Sequence, residues 1–174
     1  MTGPKIVPAE SPAQIELVRE LFLEYAKSLG FSLCFQGFDK ELAGLPGAYA
    51  PPKGRLFLCE YDDELAGCIA LRPLEPGICE MKRLYLRPQF RGKGLGRKLA
   101  EHLISQAREI GYQRMRLDTV EPTMKDAVAM YRRLGFHDIP PYSQIPVDGA
   151  LFMELDLNGL RSGNADRCQM LQIM

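Results

Sequence analysis

Apolar residues recur at helical spacing near the start of the chain. The residues that form this stripe are Ile15, Val18, Phe22, Tyr25 and Leu29. Such spacing places them on one face of an α-helix. Ser11 precedes the stripe and forms a capping-box pattern with Gln14, and Pro12 suits the first helical position. The pattern predicts a helix that begins after Ser11 and ends at Gly30.

Residues 31–88 favour loops and strands over helices. Residues 31–54 are rich in glycine, proline and aromatic side chains, which indicates a loop with one short helix near residues 38–43. Short apolar runs then predict three strands, at residues 55–61, 65–73 and 78–88. The acidic stretch Asp62-Asp63-Glu64 separates the first two runs and predicts a hairpin turn.

The second half of the chain alternates between helical and strand patterns. The predicted elements are a helix after the glycine-rich loop 91–96 that ends at Gly111, a strand at 114–120, a helix at 123–134, and two strands at 136–139 and 150–157. Thr123 and Asp126 have capping-box spacing at the start of the later helix. We expect the last two strands to pair antiparallel. The order predicts an α+β fold with a mixed, mostly antiparallel twisted sheet, parallel only across the helix-linked crossover.

Composition and charge narrow the classes of function. The 174 residues contain 46% hydrophobic and 25% charged side chains, and 22 basic residues balance 22 acidic ones. A neutral chain argues against a nucleic-acid partner, and no apolar run approaches the roughly 18 residues of a membrane span. The first residues lack the pattern of a signal peptide. We expect a cytoplasmic protein with one domain over residues 1–157 and a tail of unknown role over residues 158–174.

The cysteines and histidines do not form a metal-binding pattern. The five cysteines contain no CxxC pair, and they are Cys34, Cys59, Cys68, Cys79 and Cys168. Three of them lie in apolar strand-like runs, which favours buried, reduced thiols over a disulfide framework. His102 and His137 are far apart. We therefore expect no metal site.

The loop before the second long helix has the composition of a phosphate-binding loop. Its sequence is Arg91-Gly92-Lys93-Gly94-Leu95-Gly96-Arg97-Lys98. Glycines let the backbone approach a ligand, and the free amides and dipole of a helix start attract anions. A surface turn whose charges are only solvated is the other interpretation. The loop does not match a P-loop. A dinucleotide fingerprint would need glycine in place of Arg97, although Asp118 stands about 20 residues on, where that fingerprint has its ribose-binding acid.

Two motifs together resemble the GNAT superfamily of N-acetyltransferases. RGKGLG, at residues 91–96, resembles that family's acyl-CoA pyrophosphate loop, and the preceding strand resembles its E-x-K-R-L-Y-V pattern. Residues 127–136 resemble its A-x-x-x-Y-x-x-x-G-F helix. The resemblance spans roughly residues 10–157 in the order of elements. It implies a GNAT-like fold in which strands 78–88 and 114–120 splay apart and leave a V-shaped gap.

The resemblance also implies a co-substrate, acetyl-CoA, and the residues that bind it. The pantetheine arm would pair with the open strand edge at Leu84, Tyr85 and Leu86. The pyrophosphate would be bound by the loop residues Arg91, Gly92, Lys93, Gly94, Leu95, Gly96 and Arg97. The implied activity is direct transfer of the acetyl group to a primary amine of a small molecule in a ternary complex. A covalent cysteine intermediate is disfavoured because no cysteine has a histidine partner in the sequence.

Two residues are candidates for the proton transfers that such a reaction needs. Tyr131 occupies the position of the family's proton donor, and Glu80 fits a base for the attacking amine. Strict alternation would place Glu80 on one face with Lys82, Leu84 and Leu86, but a β-bulge would change this. A core tyrosine and an ordinary strand acid remain the alternative interpretations. Many relatives have asparagine where Met124 stands, so the cofactor contact at this position is not expected.

The sequence indicates a region for the acceptor substrate but not one chemical class. The resemblance places it between residues 31–54 and 140–149, which contain few acids. Arg55, Arg72 and Arg83 would suit a carboxylate on an amino acid or related amine, or they form surface ion pairs. Two other classes stay open: a non-catalytic acyl-CoA-binding or regulatory module, and a nucleotide-dependent oxidoreductase. Relatives often dimerise, so a homodimer is compatible with the resemblance.

Overall fold

The computed structural model describes residues 2–121 and 124–159, without the side chain of Phe35. Seven strands form one sheet in the order β1-β2-β3-β4-β5-β7-β6. The strands are β1 (Pro4–Pro8), β2 (Arg55–Tyr61), β3 (Glu64–Glu75), β4 (Ile78–Leu86), β5 (Arg114–Val120), β6 (His137–Asp138) and β7 (Ala150–Asp156). The helices are α1 (Pro12–Ser28), α2 (Phe38–Gly44), α3 (Leu95–Ile110) and α4 (Lys125–Arg133).

The central strand pair carries the feature that matters for function. The pairs β1–β2, β2–β3, β3–β4, β5–β7 and β6–β7 are all antiparallel. Strands β4 and β5, which α3 connects, run parallel as predicted and pair only at three positions, the last being Glu80 opposite Arg116. Beyond that position the two strands separate within the described residues. The sheet therefore opens into a gap between β4 and β5.

Two apolar cores cover the two faces of the sheet. Helix α3 packs Leu95, Leu99 and Leu103 into one core, which also contains Tyr131 of α4. Helix α1 packs Val18 and Phe22 into the other core. The sheet is thus covered on both faces. We refer to these as the α3–α4 face and the α1–α2 face.

Several local predictions are confirmed. The capping box of α1 forms, since the Ser11 hydroxyl accepts from the Gln14 amide and the Gln14 side chain accepts from Ser11. The hairpin turn also forms, with Asp62 and Asp63 both at positive φ. Cys59, Cys68 and Cys79 are buried free thiols, whereas Cys34 is exposed. Cys168 lies outside the described residues.

Other predictions need correction. The sequence pattern missed β1, because its prolines at positions 4 and 8 argue against a strand. They are tolerated here because β1 is an edge strand that pairs only with β2. Helix α4 begins at Lys125, later than predicted, with Met124 as its N-cap and no side-chain cap. Thr123, which was expected to cap it, lies outside the described residues.

The strand predicted at residues 78–88 ends at Leu86, because Pro88 begins a short 3-10 turn. The predicted tail, residues 158–174, lies outside the described residues except for Asn158 and Gly159. Across the part of the chain that the structure describes, no helix has both the length and the apolar content needed to cross a bilayer.

Candidate active site

A β-bulge in β4 sets the geometry of the gap. Cys68 of β3 pairs with Tyr85 and Ala70 pairs with Lys82, so Ile69 alone faces two residues of β4. The extra residue is Arg83, which adopts a left-handed φ of 58°. Such a bulge bends a strand and breaks its alternation of faces. This bend carries β4 away from β5 beyond Glu80.

The bulge also corrects the facing expected from strict alternation. Glu80 and Lys82 share the α1–α2 face, where Lys82 bonds to Gln36. Leu84 and Leu86 instead pack against the core of the α3–α4 face. Glu80 and Lys82 are therefore on one face and the two leucines are on the other. The signal for this arrangement was the family resemblance, since periodicity alone cannot locate a bulge.

Arg83 fixes the bulge by anchoring it to the segment that covers the site. Its Nε and Nη2 donate to the Glu41 carboxylate at 2.9 and 3.2 Å, and Nη1 donates to Gln36 at 2.9 Å. The guanidinium also lies over the rings of Phe38 and Tyr25. Burial tends to lower the pKa of Arg83, but its hydrogen bond to Glu41 and the charge of Glu41 reverse this and raise it. The Arg83 side chain is thus a buried cation that holds the bulge of β4 against Glu41 and Gln36.

Glu80 is buried with both carboxylate oxygens engaged. Its side chain is only 2% exposed, and Oε1 accepts from Arg72 Nε at 2.9 Å. Oε2 accepts from the Tyr142 hydroxyl at 2.7 Å. Tyr142 lies on the loop before β7 and packs edge-on against Phe152 and beneath the Arg116 guanidinium. Burial, followed by the charge of Glu80, raises the pKa of Tyr142, so its hydroxyl remains a donor.

Lys82 and Asp118 face each other across the opening gap. Lys82 Nζ lies 3.4 Å from Asp118 Oδ2 and 3.3 Å from Gln36 Oε1. Each residue stands two positions beyond the last β4–β5 pair on its strand. The Lys82 side chain is 5% exposed and that of Asp118 14%. Burial lowers the pKa of Lys82, and the Asp118 charge opposes that shift.

Tyr131 approaches the same gap from the α3–α4 face. It is buried on α4 and contacts the edge of Phe136 at 5.7 Å between ring centroids. Burial raises its pKa, and Tyr25 and Asp118 add to the shift. No described residue hydrogen-bonds its hydroxyl. Tyr131 therefore presents a protonated phenol with its donor uncommitted.

The glycine-rich loop forms an anion-binding surface at the start of α3. Gly92 and Gly94 have positive φ values of 79° and 77°, and Gly94 is the N-cap of the helix. The Arg91 N–H donates to the Pro88 carbonyl oxygen, and the next backbone N–H in the described loop with a carbonyl partner is that of Lys98. The amides of residues 92–97 are therefore available. Free amides at a helix start favour a phosphate group.

The basic side chains of the loop shape this surface. Arg91 Nε donates to the Leu86 carbonyl oxygen at 3.0 Å, and its guanidinium lies over the Tyr85 ring. This contact ties the loop to the end of β4. Lys93 lies over the Tyr61 ring, and Arg97 pairs with Glu101. The candidate pantetheine edge and the candidate pyrophosphate loop are thus continuous.

The arginines considered for a substrate carboxylate have other partners. Arg72 pairs with Glu80 and Arg83 with Glu41. Arg55 donates to the carbonyl oxygens of Pro52 and Gly54, away from the gap. The structure therefore favours the ion-pair interpretation for Arg72 and Arg83.

The sequence did not predict that Lys82 and Asp118 form an ion pair in the site. The alternation of each residue with apolar neighbours indicates its strand, but the register of β4 against β5 cannot be inferred from a local pattern.

Met124, at which the sequence predicts no cofactor contact, accepts through Sδ from the Thr119 hydroxyl at 3.0 Å.

Comparison with known proteins decides the family. The model of the Acetyltransferase (GNAT) family matches residues 16–136. The chain belongs to this family. An uncharacterized N-acetyltransferase of Schizosaccharomyces pombe is 37% identical over 149 residues, which cover 84% of this chain and 91% of the relative. The resemblance seen in the sequence motifs is therefore confirmed.

Solved GNAT structures share the fold. An acetyltransferase of the GNAT family from Staphylococcus aureus Mu50 superposes with a TM-score of 0.73 at 20% identity, covering 89% of this chain and 99% of that one. The PaiA N-acetyltransferase of Thermoplasma acidophilum, solved in complex with coenzyme A, gives 0.68 at 18% identity, with coverage of 89% and 99%. The predicted α+β fold with an open mixed sheet is confirmed, and membership of the GNAT family supports acyltransferase activity.

Proposed function

We propose that this GNAT protein transfers an acetyl group from acetyl-CoA to a primary amine of a small molecule, by direct attack in a ternary complex. The observation that carries the proposal is the end of β4–β5 pairing at Glu80, which opens a gap that leads to the free amides of the loop at residues 92–97. Residues 1–157 form the catalytic domain in this proposal. It assigns no role to a metal.

The described residues fit an extended, amide-bearing ligand that ends in a pyrophosphate. The edge of β4 that faces the gap has no pairing with β5 at Leu84, Tyr85 or Leu86. Apart from the Leu86 carbonyl oxygen, which accepts from Arg91, backbone groups of this edge can pair with pantetheine amides. The amides from Gly92 to Arg97 would bind the pyrophosphate, with Arg91 and Lys93 adding positive charge. The coenzyme A found in the PaiA structure supports this assignment. Acetyl-CoA would supply the acyl group as a thioester.

Two residues of the chain perform the proton transfers. The acceptor must lose a proton from its nitrogen before that nitrogen forms a bond to the acyl carbon. Glu80 takes this proton on Oε2, once the acceptor has displaced the Tyr142 hydroxyl, while Arg72 keeps Oε1 in place. The neutral nitrogen then bonds to the acyl carbon. As the carbon–sulfur bond breaks, the nitrogen releases its second proton to solvent and Tyr131 donates its proton to the departing sulfur. The acetylated amine and free CoA leave, and the proton from Glu80 returns to Tyr131 through solvent.

The test is amine-dependent release of the CoA thiol. Acetyl-CoA is incubated with the full chain and a panel of ethylamine, n-butylamine, ethanolamine, glycine and lysine, and the N-acetyl product is identified by mass spectrometry. The proposal predicts release that depends on both substrates, with intersecting double-reciprocal plots that indicate a ternary complex. Parallel plots would contradict direct transfer. Tight acetyl-CoA binding without thiol release from any amine would instead indicate a non-catalytic acyl-CoA-binding module.

A further inference from the structure

The Lys82–Asp118 pair lies where β4 and β5 begin to separate. It lies on the α1–α2 face, two residues past the last pairing of β4 with β5. The Asp118 charge also raises the pKa of Tyr131, which approaches from the other face. Asp118 is therefore within electrostatic range of both the candidate proton donor and the charged cluster around Glu80. No step of the proposed transfer uses it.

The Asp118 carboxylate can accept a hydrogen bond from a second cation. In the described part of the chain, its carboxylate makes one hydrogen bond, from Lys82 Nζ to Oδ2 at 3.4 Å, and Oδ1 has none. The 3.4 Å separation is long for a charge-assisted hydrogen bond, whose usual length is about 2.7–2.9 Å. A carboxylate that is mostly buried and only loosely bound by one cation can accept a second donor.

The partner of Asp118 within the chain indicates the kind of group that its carboxylate binds. Lys82 Nζ is a primary ammonium group on a four-carbon stem, and it reaches Asp118 from within the gap. Glu80, the candidate base, also acts electrostatically on this ammonium group. An incoming primary ammonium has the same charge and the same three donors as Lys82 Nζ. It would find two carboxylates on one face of the gap, Asp118 on β5 and Glu80 on β4.

Resting on the proposed function, we propose that Asp118 binds the ammonium group of the acceptor through Oδ1 and holds it beside Glu80. The acceptor class is a small primary alkylamine, bound as its ammonium form next to the Lys82 side chain. Glu80 then removes the proton as described above, while Asp118 keeps the nitrogen in place. Asp118 is thus an acceptor-binding residue of the active site.

A purely structural role for the pair makes a different prediction. If Asp118 only neutralises the buried Lys82 charge, then removing both charges together should restore what removing Asp118 alone destroys. If Asp118 binds the acceptor, the double variant should stay impaired. Asp118→Asn, Lys82→Met and the double variant therefore separate the two roles. The double variant also avoids a lone buried charge, so it keeps the test valid if Asp118→Asn does not fold.

The experiment measures kcat and KM for the amine that reacts fastest in the panel above, and the Kd of acetyl-CoA by calorimetry. We expect KM for the amine to rise about 10- to 100-fold in Asp118→Asn and in the double variant, as for loss of one charged hydrogen bond. The Kd of acetyl-CoA should stay within about twofold. Asp126→Asn, an exposed acid on α4, is the matched control and should behave as the unsubstituted protein.

Recovery of the original KM in the double variant would overturn the assignment, and so would an unchanged KM in folded Asp118→Asn. In both cases the unsubstituted protein still acetylates the amine, so the proposed function stands. Absence of any amine-dependent release by the unsubstituted protein would overturn the proposed function and this assignment together.

Discussion

The Tyr142 hydroxyl donates a 2.7 Å hydrogen bond to Glu80 Oε2 across 62 positions of sequence. The loop before β7 is thereby joined to the last residue of β4 that still pairs with β5. Arg72 holds the other oxygen of the same carboxylate. Glu80 is therefore oriented toward the gap by one permanent cation and by one neutral donor that a substrate can replace.

We expect Tyr142→Phe to lower KM for the amine about 2- to 10-fold, because the acceptor no longer competes with a hydroxyl for Oε2. The ring contact with Phe152 should persist in this variant, since only the hydroxyl is lost. Steady-state kinetics at saturating acetyl-CoA measure the effect. A higher KM together with a lower kcat would show that Tyr142 supports catalysis rather than occupying the acceptor's place.

The role of Glu80 as base predicts a change in the pH dependence of the reaction. Glu80→Gln keeps the shape of the side chain but cannot take a proton, so kcat should fall about 10²- to 10⁴-fold. The profile of log(kcat/KM) against pH should also lose the limb that Glu80 causes. An unchanged profile would clear Glu80 of this role. Glu64→Gln, on the exposed start of β3, is the control.

Tyr131→Phe should lower kcat about 10²-fold or more and leave the Kd of acetyl-CoA nearly unchanged, because only the proton donor is lost. Burial raises the pKa of Tyr131, so its phenol stays protonated through neutral and moderately alkaline pH. Activity should therefore show no fall on the basic side due to Tyr131 below about pH 10, the ordinary tyrosine value. Rates measured from pH 6 to 10 check both statements.

Tyr112→Phe is the matched control for the loss of a tyrosine hydroxyl. Its hydroxyl donates to the Lys53 carbonyl oxygen, away from the gap. The control should keep the original kcat. Equal turnover in Tyr131→Phe and the unsubstituted protein would remove Tyr131 from the proposed mechanism.

The Arg83 anchor predicts a large effect on stability. Arg83→Met leaves the mostly buried Glu41 carboxylate without its cation, which typically costs about 3–5 kcal/mol of unfolding free energy. Urea unfolding followed by circular dichroism measures this loss. The double variant Arg83→Met/Glu41→Gln should be less destabilised than the single variant, because no lone charge is buried. Equal destabilisation of both would contradict the account of this pair.

Local signals made much of the fold predictable from the sequence. Ser11 with Gln14, the paired aspartates at the hairpin, and Gly94 before α3 each determine the structure of their own few residues. Such short-range chemistry is visible in the order of residues. The strand β1 was not predicted because Pro4 and Pro8 disfavour a strand at any position other than the edge of a sheet.

The candidate site was less predictable because it depends on long-range register. Strict alternation would put Glu80 and Leu84 on one face, and only the pairing of β4 with β3 shows that Arg83 is an added residue. Lys82 and Asp118 meet because two strands separate at one point in the sheet. Neither fact is encoded in a local pattern, so the sequence could indicate candidates but not their partners.

The most direct test of the central claim is a calorimetric titration of the full chain with acetyl-CoA, CoA and NADH. The account predicts binding of both CoA compounds, no binding of NADH, and loss of CoA binding in Gly94→Glu. That change places a side chain at a φ of 77° and a negative charge on the anion-binding loop. Gly44→Glu, a glycine with open space and no positive φ, is the control that should still bind. Failure of acetyl-CoA to bind, or equal binding by Gly94→Glu, would contradict the account.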